Sequence, residues 1–279
     1  MPDWRPLIVR RKDGFPRIMG VLNITPDSFF EDSRSNNISE TIKIAESMIQ
    51  NGADWLDIGG ESTRPGANPV KEEEEISRVI PVIRELRKRF PKVGISVDTR
   101  RAKVAALSLE EGADMINDVS ALSDQNMINV VKQSDCCICL MHMKGLPENM
   151  QNNPQYDDVV MEVRRKLNEK VSLLLEEGIN QERIIVDPGI GFGKSLEHNL
   201  LLLKSGREII PLSNIKLMWG VSRKSMFSEL LGRIEARDRL AGTLGIAAMS
   251  KLKAVDIIRV HDVAEHADLF RAMSSLEDF

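Results

Sequence analysis

Asn51-Gly52-Ala53-Asp54-Trp55-Leu56-Asp57-Ile58-Gly59-Gly60-Glu61 holds the unit from which the chain is built. Gly52 follows a helical stretch and suits the left-handed position just past a helix end. Trp55–Ile58 is a short apolar run, as in a strand buried on both faces. Asp57 and the glycines that follow stand at its C-terminal end. The same joint between helix and strand returns at Glu111-Gly112-Ala113-Asp114 and at Glu177-Gly178-Ile179-Asn180.

Working outward, similar apolar runs occur at Ile18–Leu22, Val93–Val97, Met115–Ile116, Cys137–Met141, Ile184–Val186, Leu217–Val221 and Ile257–Val260. Between them lie stretches of helical period. Val159, Val163, Leu167, Val171 and Leu175 form one stripe; Ile76, Val79, Ile80, Ile83, Leu86 and Phe90 form another. The second opens with Glu72–Glu75, which suit a helix N-terminus, and contains Pro81, which predicts a kink. Eight strand–helix alternations predict an α/β fold, a single (β/α)8 barrel over residues 1–279 with its active site at the C-terminal ends of the strands. An open doubly wound sheet would call for a glycine-rich fingerprint after the first strand. Asn23-Ile24-Thr25-Pro26-Asp27 stands there instead.

The bulk properties narrow the function. The 279 residues carry a formal net charge of −4, with 42% hydrophobic and 29% charged residues. That mildly acidic balance disfavours nucleic acid as a partner. No apolar run reaches the ~18 residues of a membrane span, and Met1–Asp13 has no signal-peptide core, so the expectation is a cytoplasmic protein. Cys136, Cys137 and Cys139 share one run, too close to bridge each other and without a second cluster to complete a metal site. They read as reduced, buried thiols.

Polar residues gather where the strands end. Asn23, Asp57, Asp98, Asn117-Asp118, His142, Asp187, Ser222-Arg223-Lys224, Arg259 and His261 all follow or close a run. One such residue would be a helix cap or turn former, and Asp118 and Glu61 fit that description. A set of them in one ring describes a pocket. Asp98, Asn117 and Asp187 could accept N–H bonds from the edge of a heterocycle, pterin or guanine. Arg64, Arg259 and His261 could meet an anion. Asn23 offers an oxygen for Mg2+, which needs few protein ligands when it shares phosphate oxygens. Asp187-Pro188-Gly189-Ile190-Gly191-Phe192-Gly193-Lys194 superficially resembles a phosphate loop but lacks its frame. Its glycines suit close passage of backbone beside a flat ligand.

These segments together resemble one family. Met19-Gly20-Val21-Leu22-Asn23-Ile24-Thr25-Pro26-Asp27-Ser28-Phe29 is similar to the first signature of dihydropteroate synthases, and Asp57-Ile58-Gly59-Gly60-Glu61-Ser62-Thr63-Arg64-Pro65-Gly66 to the second. Ser96–Thr99, Ile116–Asp118, Met141–Met143, Asp187–Lys194, Ser222–Lys224 and Arg259–His261 follow in family order. The resemblance spans essentially the whole chain. It implies condensation of 6-hydroxymethyl-7,8-dihydropterin pyrophosphate with p-aminobenzoate, and a sulfonamide target. It also implies Asp98, Asn117, Asp187 and Lys224 on the pterin, and Arg64, Arg259 and His261 on the pyrophosphate. Asn23 would meet Mg2+, while Thr63, Pro65, Phe192 and Ser222 would shape the p-aminobenzoate pocket, with Lys224 between the substrates. Asp98, Lys224, Arg259 and His261 would carry the catalysis. A homodimer through helices late in the barrel is implied as well. One departure from the family is the stretch Phe30–Asn37, read as a loop where relatives often have fewer residues.

Two rivals predict different residues. A pterin-binding methyl-transfer domain would not need Arg64 and the Arg259-Val260-His261 grip. A noncatalytic pterin binder would be expected to have lost one or more of Asn23, Arg64, Lys224 and His261, and all are present.

Overall fold

A computed structural model describes residues 3–24, 34–61, 70–145, 150–151, 153–210 and 212–276. Eight parallel strands close into a barrel in chain order. They are β1 (Arg17–Asn23), β2 (Trp55–Gly59), β3 (Gly94–Asp98), β4 (Met115–Asp118), β5 (Cys137–Met141), β6 (Ile184–Asp187), β7 (Lys216–Trp219) and β8 (Ile257–Val260). β1 closes the ring on β8, with Arg17 opposite Ile257 and Met19 opposite Arg259.

Helices α1 (Arg34–Gln50), α2 (Glu72–Arg89), α3 (Ala102–Glu110), α4 (Asn126–Lys132) and α5 (Val159–Glu176) follow the first five strands. α6 (Leu196–Ser205), α7 (Met226–Leu231), α8 (Leu240–Ala248) and α9 (Val263–Ser275) complete the described helices. α7 and α8 both sit between β7 and β8, so the seventh unit carries an extra helix. The predicted loop Phe30–Asn37 is half helix: Arg34–Asn37 form the first turn of α1, and Phe30–Ser33 lie outside the described residues. Pro81 does not break α2, which runs on to Arg89. The buried stripe of α5 ends at Leu174 rather than Leu175. Steps of four residues overshoot a helical turn by about 40° each, and the last step must shorten to stay on the core.

Gly52, Gly112 and Gly178 all have positive φ, at 104°, 102° and 83°. These are the predicted joints, where the chain leaves a helix through a conformation that a side chain would strain.

Strand periodicity sorts the side chains. Ile18, Leu56, Ile58, Ile95, Val97, Ile116, Ile138 and Leu140 belong to the large core that includes the helices. Met19, Trp55, Met115, Cys137, Cys139, Ile185, Met218 and Ile257 form a second cluster inside the ring, closed below by Trp4 and Ile8. Trp55 fills space that Gly94 leaves open: a Cβ on Gly94 would lie 2.4 Å from the indole. The three cysteines are unpaired and buried, as expected. Among the described residues, no helix is long and apolar enough to cross a membrane.

Candidate active site

The inward face changes character along each strand. Counting by twos from the apolar interior, Met19 leads to Asn23, Trp55 to Asp57, and Gly94 to Ser96 and Asp98. Met115 leads to Asn117, Ile185 to Asp187, and Ile257 to Arg259. Asp57, Asn117, Asp187 and Arg259 come from β2, β4, β6 and β8, the alternate-strand arrangement by which these barrels fill a layer. Here the uppermost layers are polar.

Arg259 ties them together. Its Nε donates to Asp57 Oδ2 at 2.6 Å and its Nη2 to Asp98 Oδ2 at 2.9 Å. Asp57 is fully buried and also accepts from Ser96 Oγ at 2.5 Å and from Asn117 Nδ2 at 3.1 Å. The other Asn117 amide atom, Oδ1, is buried without a partner. Burial raises the Asp98 carboxyl to about 7; Arg259 opposes that, and Asp57, Glu75 and Asp118 reinforce it. Burial alone would lower the Arg259 pKa, but Asp57 and Asp98 more than reverse it. The guanidinium is cationic throughout the working range.

Asp187 is buried at the end of β6, and its Oδ1 accepts from the Gly189 amide at 2.7 Å. Burial raises its pKa, against the Gly189 bond and the charges of Lys224 and Arg259. Gly220 lies beside it: a Cβ there would sit 3.4 Å from Asp187 Oδ2, in ordinary contact. Lys224 is half-buried, with its ammonium 4.0 Å from the Phe192 ring centroid. Phe192 packs with Val119, Met141 and Met150. Ser222 Oγ accepts from the His261 backbone N–H at 3.1 Å and lies 3.0 Å from His261 Nδ1. Asn23 is exposed at the mouth, next to Gly59, where a Cβ would lie 3.5 Å from its Oδ1.

The structure thus brings Asp98, Asn117 and Arg259 together around Asp57. It sets Asp187, Lys224 and Phe192 along the β6 and β7 ends, and His261 with Ser222. Thr63, Arg64 and Pro65 lie outside the described residues. Glu61 and Val70, which border that segment, are joined: Val70 N donates to Glu61 Oε1 at 3.1 Å, and Arg101 binds both Glu61 and the Val70 carbonyl.

Other strand-end residues prove to be scaffold. Asp118 accepts from the Ser120 and Leu122 amides and folds the loop after β4. Arg223 has a φ of 55° and grips Asp262 with two bonds, at 2.8 and 2.5 Å. Lys194, at the end of the glycine-rich segment, is buried. Its ammonium reaches Phe192 O at 2.9 Å, Gly189 O at 3.0 Å and His142 Nδ1 at 3.1 Å. Desolvation lowers Lys194 to about 7 and His142 to about 3. Reading by strand ends noted Asp57 but gave it no role. Its place two residues beyond the inward Trp55 is the signal that could have done so.

A separate cavity of about 760 Å³ lies among Trp4, Leu109, Val130 and Cys136, and none of Asp57, Asp98, Asn117, Asp187, Lys224, Arg259 and His261 lines it.

The pterin binding enzyme family matches the chain over residues 19–261. The chain is 43% identical over 260 residues to the dihydropteroate synthase of Escherichia coli K12, covering 93% of this chain and 91% of that one. A Yersinia pestis dihydropteroate synthase solved with a sulfonamide superposes with a TM-score of 0.88 at 38% identity, covering 96% and 97% of the two chains. A Burkholderia cenocepacia dihydropteroate synthase complexed with 7,8-dihydropteroate superposes at 0.85 and 38% identity, covering 94% and 92%.

Proposed function

The chain belongs to the pterin-binding enzymes and, within them, to the dihydropteroate synthases, and from that membership we propose how its residues share the reaction. The transfer joins the methylene of 6-hydroxymethyl-7,8-dihydropterin pyrophosphate to the amine of p-aminobenzoate, a step of folate biosynthesis. The C–O bond to pyrophosphate breaks, a C–N bond forms, and the amine loses a proton.

Asp98, Asn117 and Asp187 take the pterin. The supporting observation is a buried acceptor set: two carboxylates, and an amide oxygen with no partner of its own. A 2-amino-4-oxo heterocycle supplies N–H donors to such a set, and a buried acceptor left unpaired costs about 1–3 kcal/mol. Arg259, His261 and Arg64 grip the pyrophosphate. Charge building on that leaving group is what fixed positive groups stabilise best. Lys224 stands between the two substrates, and Thr63, Pro65, Phe192 and Ser222 wall the p-aminobenzoate side. A pterin methylene that loses pyrophosphate becomes cationic; the electron-rich ring delocalises the charge and Asp98 faces it. No covalent nucleophile is required, and holding the amine in line supplies the rest.

Mg2+ fits Asn23. Among the described residues no group of three or more His, Cys, Asp or Glu could cage a metal. One exposed amide oxygen at the mouth suits an ion that takes its other ligands from water and phosphate. When bound, the ion would neutralise charge on the pyrophosphate.

A homodimer fits the exposed apolar residues Leu200, Leu201, Leu230, Leu231 and Leu252 on and near α6–α8. Sedimentation should then report twice the chain mass, and a Leu201→Glu, Leu231→Glu variant should fall toward the monomer. Buried free thiols suit the reducing cytoplasm. One barrel domain serves both substrates.

The test is pyrophosphate release from the dihydropterin pyrophosphate, with and without p-aminobenzoate and Mg2+. Metal-dependent release coupled to dihydropteroate formation, and lost in Lys224→Ala and Arg259→Ala, is the expected result. A wild type that bound the pterin but formed no dihydropteroate at any p-aminobenzoate concentration would overturn the reading.

A further inference from the structure

We propose that Asp57 is the positioning residue of the site. It fixes which way the Asn117 amide faces and where the Arg259 guanidinium points, and so prepares the pterin end and the pyrophosphate end together. The inference rests on the assignment of those two residues to the dihydropterin pyrophosphate.

Asp57 does not itself face a substrate. It is fully buried, and its two oxygens meet donors from three strands: Ser96 on β3, Asn117 on β4 and Arg259 on β8. An ionised carboxylate only accepts. Asn117 must therefore turn its NH2 toward Asp57, which leaves Oδ1 as the amide atom available to a ligand. That oxygen is the buried one without a partner. The choice between presenting a donor and presenting an acceptor to the heterocycle is thus made one residue behind the pocket.

The second arm concerns a cation. Arg259 has two carboxylates near its fork, and each holds a different nitrogen: Asp57 takes Nε and Asp98 takes Nη2. Two anchors at two nitrogens fix both the position and the plane of the guanidinium. With Asp57 removed, Asp98 alone holds the group, and one anchor leaves the plane free to turn. A planar fork binds phosphate oxygens well only when its plane is set.

Two probes separate the arms: 6-hydroxymethylpterin, without pyrophosphate, and inorganic pyrophosphate. Asp57→Ala should weaken each by about tenfold or more, the scale of losing a buried charge-assisted hydrogen bond. In an Asn117→Ala background the same change should alter hydroxymethylpterin affinity by no more than about threefold, and in an Arg259→Ala background it should alter pyrophosphate affinity by no more than about threefold. Asp57→Asn should restore hydroxymethylpterin binding to within about threefold of wild type. Its carbonyl oxygen can still take both donors while its NH2 turns to the Ser96 hydroxyl. General damage to the fold would not be rescued by that variant, nor would it vanish on the two backgrounds. If Asp57→Ala does not fold, Ser96→Ala tests the same chain of contacts: about threefold weaker hydroxymethylpterin binding, absent in the Asn117→Ala background. Losses that multiply in full on both backgrounds would overturn the proposal, as would no loss with either variant. A wild type that binds neither probe would instead remove the site assignment beneath it, and the proposal with it.

Discussion

The Lys224 ammonium stands over the face of Phe192, 4.0 Å from the ring centroid. An aromatic face attracts a cation through the ring quadrupole and so holds the Lys224 ammonium in place. Lys224→Ala should therefore lower kcat/KM by about 100-fold or more, as removal of a preorganised donor does. Phe192→Leu keeps the cation but loosens it, and should raise the KM for p-aminobenzoate by about five- to tenfold. Steady-state kinetics against each substrate separates the two effects.

Asp98 gives the reaction an acid limb. Its carboxyl titrates near 7 because burial disfavours the charge. Its stabilising effect on the fold belongs to the protonated form, so it is complete below about 4 and is lost as pH rises through 7. Substrate capture needs the opposite form, because the carboxylate accepts at both oxygens whereas the protonated group turns one of them into a donor. kcat/KM for the pterin substrate should fall as pH drops below about 7, and Asp98→Asn should flatten that limb while lowering the plateau. A pH–rate profile of both proteins checks it.

Lys194 makes stability depend on pH in the alkaline range. Its pKa is lowered to about 7 by burial, while an unfolded lysine sits near 10.4. Between those values the unfolded chain holds a proton that the folded chain has released, so stability rises with pH. Wild type should gain on Lys194→Met by about 1.4 kcal/mol per pH unit between about 7 and 10. Urea unfolding at several pH values measures the difference, in which titrating groups that Lys194 does not influence cancel; His142 and Asp187, which feel its charge, do not.

Gly189 is fixed by its surroundings. It has a φ of 68°, and a Cβ there would lie 1.9 Å from the His142 carbonyl oxygen. Gly189→Ala must push the β5 and β6 loops apart, at a cost of about 2–4 kcal/mol from overpacking and strain together. The Gly189 amide also holds Asp187. Pterin affinity should drop along with the melting temperature, whereas Gly178→Ala, with nothing within 4 Å of its Cβ, should cost only its backbone strain.

Much of this was legible because a barrel writes its layout in order. Eight apolar runs gave eight strands, and the three repeated joints gave glycines at positive φ. The strand-end polar residues pointed to the end of the barrel where Asp57, Asp98, Asn117 and Arg259 meet. What the sequence could not give was partnership. Asp57, Asp118 and Glu61 look alike as acids after strands, yet one anchors Arg259, one caps a loop, and one ties the ends of a segment. Those roles depend on which residues from distant strands lie opposite, and a parallel ring brings together positions 202 residues apart, as with Asp57 and Arg259. Likewise Arg223, between Ser222 and Lys224, has a left-handed backbone and is paired with Asp262.

Cys137 and Cys139 are fully buried inside the ring, and burial drives both thiols well above their ordinary pKa. Neither can meet an alkylating reagent while the strands stay closed. The rate at which a small maleimide consumes them is therefore a native clock for separation of β5 from its neighbours. The chain carries its own reporter of how often the barrel breathes, and a bound substrate that bridges strand ends should slow it.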